Sequence, residues 1–141
     1  MGLLFMKLVI VGCGRVGAMA ALALSKAGHQ VTVIDNNRRA FDRLGSDFAG
    51  EMVLGNGIDE DVLREAGIES ADGFASLTNG DNRNIMAAQI AKVVYRVPTV
   101  VCRIYDPARE RIYRKLGMET YCPTIEGATR IQDLLSNGGR G

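Results

Sequence analysis

The sequence predicts an α/β domain, a doubly wound parallel sheet of six strands in the order 3-2-1-4-5-6. Three observations predict it. Short runs rich in Val, Ile and Thr alternate with helical patterns from residue 7 to residue 135, as βαβ units require. The first run, 7–11, is apolar after its opening lysine, as befits a strand covered on both faces. Gly12, Gly14 and Gly17 follow it at G-x-G-x-x-G spacing, and the second run ends in Asp35.

Each element has its own signal. Residues 15–27 are rich in Ala and Leu and stop at Gly28, a residue suited to the left-handed end of a helix. Residues 31–34 form the second strand, and 38–47 read as a polar surface helix. Residues 51–54 form the third strand and run into Gly55-Asn56-Gly57, after which 59–66 make a short helix. The fourth strand is 73–77, followed by a Thr-Asn-Gly-Asp turn and a long helix over 82–95. The fifth strand is 99–104, and Pro107 fits the first turn of a helix that ends at 116. A short sixth strand over 120–122 leads to a last helix, 125–135, with Ile125, Ala128, Ile131, Leu134 and Leu135 on one stripe. That stripe suits either a dimer surface or packing on the helix's own sheet. The expected organisation is one domain over 6–136, with flexible ends at 1–5 and 137–141.

A chain of 141 residues builds one core, and 47% hydrophobic against 23% charged residues is the balance of a packed globular protein. With 17 basic and 16 acidic residues, no overall field gathers nucleic acid. No apolar run approaches the ~20 residues of a membrane helix, and the opening segment lacks a signal peptide's form, so a cytoplasmic location is expected. Cys13, Cys102 and Cys122 are too few and too scattered for a disulfide framework or a zinc cluster, and no metal site is expected.

The glycine loop carries the chemistry. In a Rossmann-type site Gly12 allows the tight turn, Gly14 lets backbone approach a pyrophosphate, and Gly17 lets the helix pack on the sheet. Free N–H groups of the loop 12–17, which also contains Cys13, Arg15 and Val16, then receive phosphate at a positive helix end. Asp35, with Asn36 beside it, accepts the adenosine ribose hydroxyls and repels the extra phosphate of NADP. The expected ligands are therefore NAD or NADH, with ATP, ADP or AMP as alternatives, although Arg38 and Arg39 stand close enough to complicate the exclusion of NADP. Asp35 could instead cap the turn at 36–37.

Arg15 is a cation in the first turn of a helix, where the dipole disfavours it. A terminal phosphate from its own or a neighbouring subunit would compensate; a solvated side chain is the other reading. The remaining strand ends carry Gly55 and Asn56, suited to the adenine edge, Thr78 and Asn79, suited to the ribose or ligand middle, and Arg103, suited to a phosphate. Each of these polar residues could also simply satisfy loop backbone.

A dehydrogenase needs an acid–base group near its nicotinamide, and the candidates are poor. His29 falls in a turn at the opposite end of the sheet from the strand carboxyl ends, and none of Tyr95, Tyr105, Tyr113 or Tyr121 has Lys four positions on. No catalytic residue is expected. Redox sensing through Cys13 is a further possibility, and it requires a thiol of low pKa.

Taken together, the glycine loop, Asp35, Gly55-Asn56, the segment 62–72, Ala75 to Thr78 with Asp81 to Asn84, Arg103 to Pro107 and Lys115-Leu116-Gly117 resemble the RCK or KTN domain, also called the TrkA N-terminal domain. The likeness runs from residue 7 to about residue 127. It implies a non-enzymatic regulatory subunit that binds NAD(H) or adenine nucleotides, forms homodimers and larger rings, and gates a membrane-embedded potassium transporter or channel from the cytoplasmic side. It also associates basic residues at the positions of Arg15 and Arg103 with ligand phosphates. Two positions depart from the family: Asn56 stands where Asp is common, and Thr124 stands where some members carry a Glu that serves a divalent ion. The second small domain usual in such regulators has no counterpart in this sequence. The alternative function is the cofactor domain of an NAD-dependent oxidoreductase.

Overall fold

The computed structural model describes residues 5–138. The expectation of flexible ends falls mostly on 1–4 and 139–141, which lie outside the described residues. Phe5, within the expected N-terminal tail, meets the His29 ring edge-on with centroids 6.5 Å apart.

Six parallel strands form one sheet: β1 Lys7–Val11, β2 Gln30–Asp35, β3 Glu51–Leu54, β4 Gly73–Ser76, β5 Thr99–Arg103 and β6 Glu119–Tyr121. Their order is β3-β2-β1-β4-β5-β6, the expected one. Because β1 and β4 are neighbours across the reversal of strand order, a crevice opens above their carboxyl ends.

Alternation along the strands sends side chains into two cores. Val9 and Val11 of β1, with Ile34 of β2, pack on one face with Leu63, Ile68, Ile85 and Ala88. Ile10, Val31 and Val33 pack on the other face with Ala18, Ala21, Ala40 and Leu44. The first core receives α2 (Glu60–Glu65) and α3 (Asp81–Gln89), and the second receives α1 (Arg15–Lys26). The remaining helices are α4 (Pro107–Lys115) and α5 (Pro123–Ser136), each with proline in its first turn.

The structure departs from the expected elements in four places. Residues 38–47 are not an α-helix; Arg38–Leu44 is a 3-10 helix, capped by the Asn37 side chain and stopped by Gly45 at φ 70°. The long helix after β4 widens into a π-turn at Ile90–Val94, so that the Tyr95 N–H reaches the Ile90 carbonyl at 3.2 Å. The chain then reverses at Arg96, φ 52°. The last helix begins at Pro123, two residues earlier than its apolar stripe suggested, because proline at the first helical position spends no hydrogen bond. Finally, α5 buries none of its residues: Ile131 and Leu135 are 59% and 78% exposed. The stripe is therefore not packed on its own sheet. Among the described residues no helix is long and apolar enough to cross a membrane.

Candidate functional site

A cavity of about 310 Å³ lies above the carboxyl ends of β1, β2, β3 and β4. It gathers Gly12, Cys13, Gly14, Asp35, Asn36, Gly55, Asn56, Thr78, Asn79 and Arg103 from the expected set. Arg15, Val16 and Gly17 are not in its wall: Arg15 and Val16 face outward, and Gly17 is buried beneath the loop.

The three glycines differ in what surrounds them. A Cβ on Gly17 would come 1.9 Å from the Gly12 carbonyl oxygen, so α1 approaches the loop only because that position is bare. Gly12 holds φ +108° and would press a Cβ into the backbone of Leu77. Around Gly14 nothing lies within 4 Å of a built Cβ, which leaves the loop's crest open. The N-terminus of α1 has no side-chain cap and no acidic residue in its first turn, so an anion would meet unneutralised N–H groups there.

Asp35 caps the turn at 36–37 and also holds the glycine loop. Its Oδ2 accepts the Cys13 N–H at 2.8 Å, and its Oδ1 accepts the Asn37 N–H at 2.9 Å. Each oxygen keeps acceptor capacity, so capping the turn leaves the carboxylate able to accept ribose hydroxyls. Asn56 is similarly divided, its Oδ1 accepting the Ile58 N–H at 3.1 Å.

On the β4 side, Asn84 organises the wall from a fully buried position. Its Oδ1 accepts the Thr78 N–H at 2.9 Å and the Thr78 hydroxyl at 2.6 Å. Its Nδ2 donates to the carbonyls of Thr78 at 2.8 Å and Arg103 at 3.0 Å. One side chain thus ties the end of β4 to the end of β5. Arg103 is buried too, and its Nε and Nη2 donate to the Thr78 carbonyl, Nη2 also to that of Leu77. The guanidinium carbon lies 5.0 Å from the Tyr105 ring centroid. Arg103 is therefore first a clamp on the β4 loop; only Nη1 has no hydrogen-bond partner among the described residues.

The wall includes residues that the motif did not single out, notably Asn37, Arg43, Gly57, Ile58 and Arg83. Arg43 comes from the 3-10 helix and donates to the Cys13 carbonyl at 3.3 Å. Arg83 comes from the first turn of α3. Fingerprint spacing did not reveal either residue, because both belong to helices beside the strand ends.

The Cys13 thiol is buried, and its pKa is raised by burial first and by the Asp35 charge second. This direction opposes redox sensing through Cys13, which needs a stabilised thiolate. All three cysteines are free thiols, and burial pushes Cys102 up to about 11. His29 lies at the other end of the sheet, its Nδ1 accepting the Met6 N–H at 3.0 Å.

The family model described as the TrkA-N domain matches residues 8–123. The chain is similar to the Trk system potassium uptake protein TrkA of Streptomyces coelicolor, with 52% identity over 134 residues, 94% of this chain and 60% of that protein. The chain thus spans less than two thirds of this relative's length. Among solved structures it resembles the AMP-bound Kef CTD of Shewanella denitrificans, with TM-score 0.79, 20% identity, and coverage of 96% of this chain and 83% of that one. It also resembles GsuK bound to ADP, with TM-score 0.78, 23% identity, and coverage of 94% and 34%. The GsuK channel bound to NAD aligns with TM-score 0.67, 16% identity, and coverage of 83% and 21%. At these identities the structural likenesses speak for the fold alone.

Proposed function

The chain belongs to the TrkA-N domain family, and from that premise we propose that it is the nucleotide-sensing domain of a regulatory subunit that governs a potassium uptake system or potassium channel. The observation that carries this reading is the cavity over the β1–β4 reversal. It presents open loop N–H groups at Gly14 and the Asp35 carboxylate, and the described wall includes no His, Lys or Tyr. Such a wall binds and orients a nucleotide, and its one carboxylate, Asp35, already accepts two backbone N–H groups, which favours sensing over hydride chemistry.

The proposed ligands are adenine nucleotides, NAD or NADH and also ATP, ADP or AMP. In this reading Gly12, Cys13, Gly14 and the start of α1, Arg15 to Gly17, form the phosphate cradle. Asp35 and Asn36 take the ribose, Gly55 and Asn56 flank the adenine, and Thr78, Asn79 and Arg103 serve the remainder. The names of the structural neighbours, which mention AMP, ADP and NAD, support this ligand class. The potassium assignment rests on the S. coelicolor relative.

We assign residues 6–136 to one such domain, working at the cytoplasmic face beside a membrane-embedded partner. The exposed apolar face of α5 fits a homodimer or larger ring, because an uncovered stripe of this kind is a contact surface. Coupling to the partner requires the nucleotide to bind two assembly states with different affinity.

The test is to release bound nucleotide from the purified protein for mass spectrometry, then titrate NAD, NADH, ATP and ADP by calorimetry. Stoichiometric adenine nucleotide and saturable binding are expected. An empty protein that binds none of the four, or turnover of a hydride-accepting substrate, would contradict the reading.

A further inference from the structure

The cavity wall is electrically lopsided. It contains three guanidinium groups, Arg43, Arg83 and Arg103, against one carboxylate, Asp35. No carboxylate of the described residues lies within 4.0 Å of any of the three, since the ion pairs found involve only Arg64, Arg109 and Arg114. Two of the three have backbone work: Arg103 clamps Leu77 and Thr78, and Arg43 donates to the Cys13 carbonyl. Arg83 makes no hydrogen bond among the described residues, yet it lines the cavity.

Its location deepens the anomaly. Arg83 lies in the first turn of α3, a position where the helix dipole disfavours a cation. Asp81, the acidic residue of the same turn, forms no ion pair with Arg83. Its two oxygens accept the N–H groups of Tyr105 at 2.8 Å and Asp106 at 3.2 Å, and its ion-pair partner, at 3.9 Å, is Arg109. A compensating ligand phosphate, expected from the sequence at Arg15, is thus better placed to meet Arg83, because Arg83 borders the cavity and Arg15 does not.

The topology says which part of a ligand Arg83 would meet. β2 and β4 flank β1 on opposite sides. With the ribose at Asp35 beyond β2 and the phosphates over the loop beyond β1, the far end of an extended ligand comes to lie beyond β4. There Thr78, Asn79 and Arg83 form the wall.

We propose that Arg83 makes the pocket select its nucleotide by the charge at the ligand's far end. It favours the terminal phosphate of a nucleoside triphosphate, which reaches past the loop, accepts the neutral ring of NADH, and discriminates against the cationic pyridinium of NAD+. This rests on the nucleotide-binding reading above. The charge of Asp35 lies on the β2 side, across β1 from Arg83, and forms no ion pair with it.

The test is calorimetric titration of the intact protein and its Arg83→Gln and Arg83→Lys variants with ATP, ADP, NADH and NAD+. Arg83 is exposed, so the fold should tolerate both changes; thermal melts of the variants check this. For wild type, ATP should bind more tightly than ADP and NADH, and NADH more tightly than NAD+. Arg83→Gln should weaken ATP about tenfold, the scale of a hydrogen bond between charged groups, while leaving NADH within about twofold and improving NAD+ relative to it. Arg83→Lys should restore most of the ATP affinity, and the wild-type preference should shrink as salt rises, since exposed charges are screened. Equal loss for all four ligands, or no loss for any, overturns the proposal while leaving nucleotide binding intact. If wild type binds none of the four, the nucleotide reading falls and takes this proposal with it.

Discussion

At the residue scale, the site is built from side chains whose loss would be felt both in the loops and in the cavity. Asp35 holds the loop and the following turn through two backbone N–H groups, so Asp35→Asn should lower nucleotide affinity about tenfold or more and reduce discrimination against NADP; titration of both ligands measures it. Asn84 satisfies four polar groups from a buried position. Asn84→Ala should cost about 1–3 kcal/mol, because the buried Arg103 carbonyl loses a partner and the Thr78 groups lose the tie that orders the loop; chemical denaturation reads this directly. For Cys102, whose pKa burial raises from 9.0 to about 11, the folded chain keeps a proton that the unfolded chain releases. Its stabilising contribution is full below pH 9 and is lost as pH rises towards 11, so the melting temperature should fall across that window and fall less in Cys102→Ala. Asp35 and the glycines were readable in the sequence because fixed spacing expresses their role. Arg43 and Arg83 were not, because what brings them to the site is the packing of neighbouring helices.

At the element scale, the strands were readable to within about a residue at their ends: β1 and β2 because central runs covered on both faces are almost continuously apolar, and the less buried β3 and β6 because turn residues bound them. The helices were less so. The polar segment after β2 has only Ala40 and Leu44 buried, and a segment with so little to bury is set by its caps, Asn37 and Gly45, rather than by an apolar stripe. The stripe of α5 was visible, but periodicity states only that a face is apolar and not what covers it. In the structure nothing on the same chain buries it. If the homodimer assignment holds, Ile131→Glu or Leu135→Glu should shift the protein towards monomer in light scattering and remove the concentration dependence of its melting temperature, with the chain still folded because both side chains are exposed on the single chain. At the loop, Gly17→Ala should instead damage the fold, by about 1–3 kcal/mol, since the added methyl has no room beside the Gly12 carbonyl.

At the scale of the whole molecule, the net charge of +1 conceals a local excess of positive charge in the one place where the strand ends, an uncapped helix terminus and three guanidinium groups converge. A ligand that neutralises this region binds the folded chain and not the unfolded one. It should therefore stabilise the protein by about 2.7 kcal/mol when present at a hundredfold excess over its Kd. The most direct test is hydrogen exchange of the purified protein with and without saturating ADP. Protection is expected in the loop 12–17, at 35–37, at 55–58 and at 77–84, with β6 and α4 little changed. Protection confined to other segments, or none despite measured binding, would show that the nucleotide does not occupy the crevice above β1 and β4.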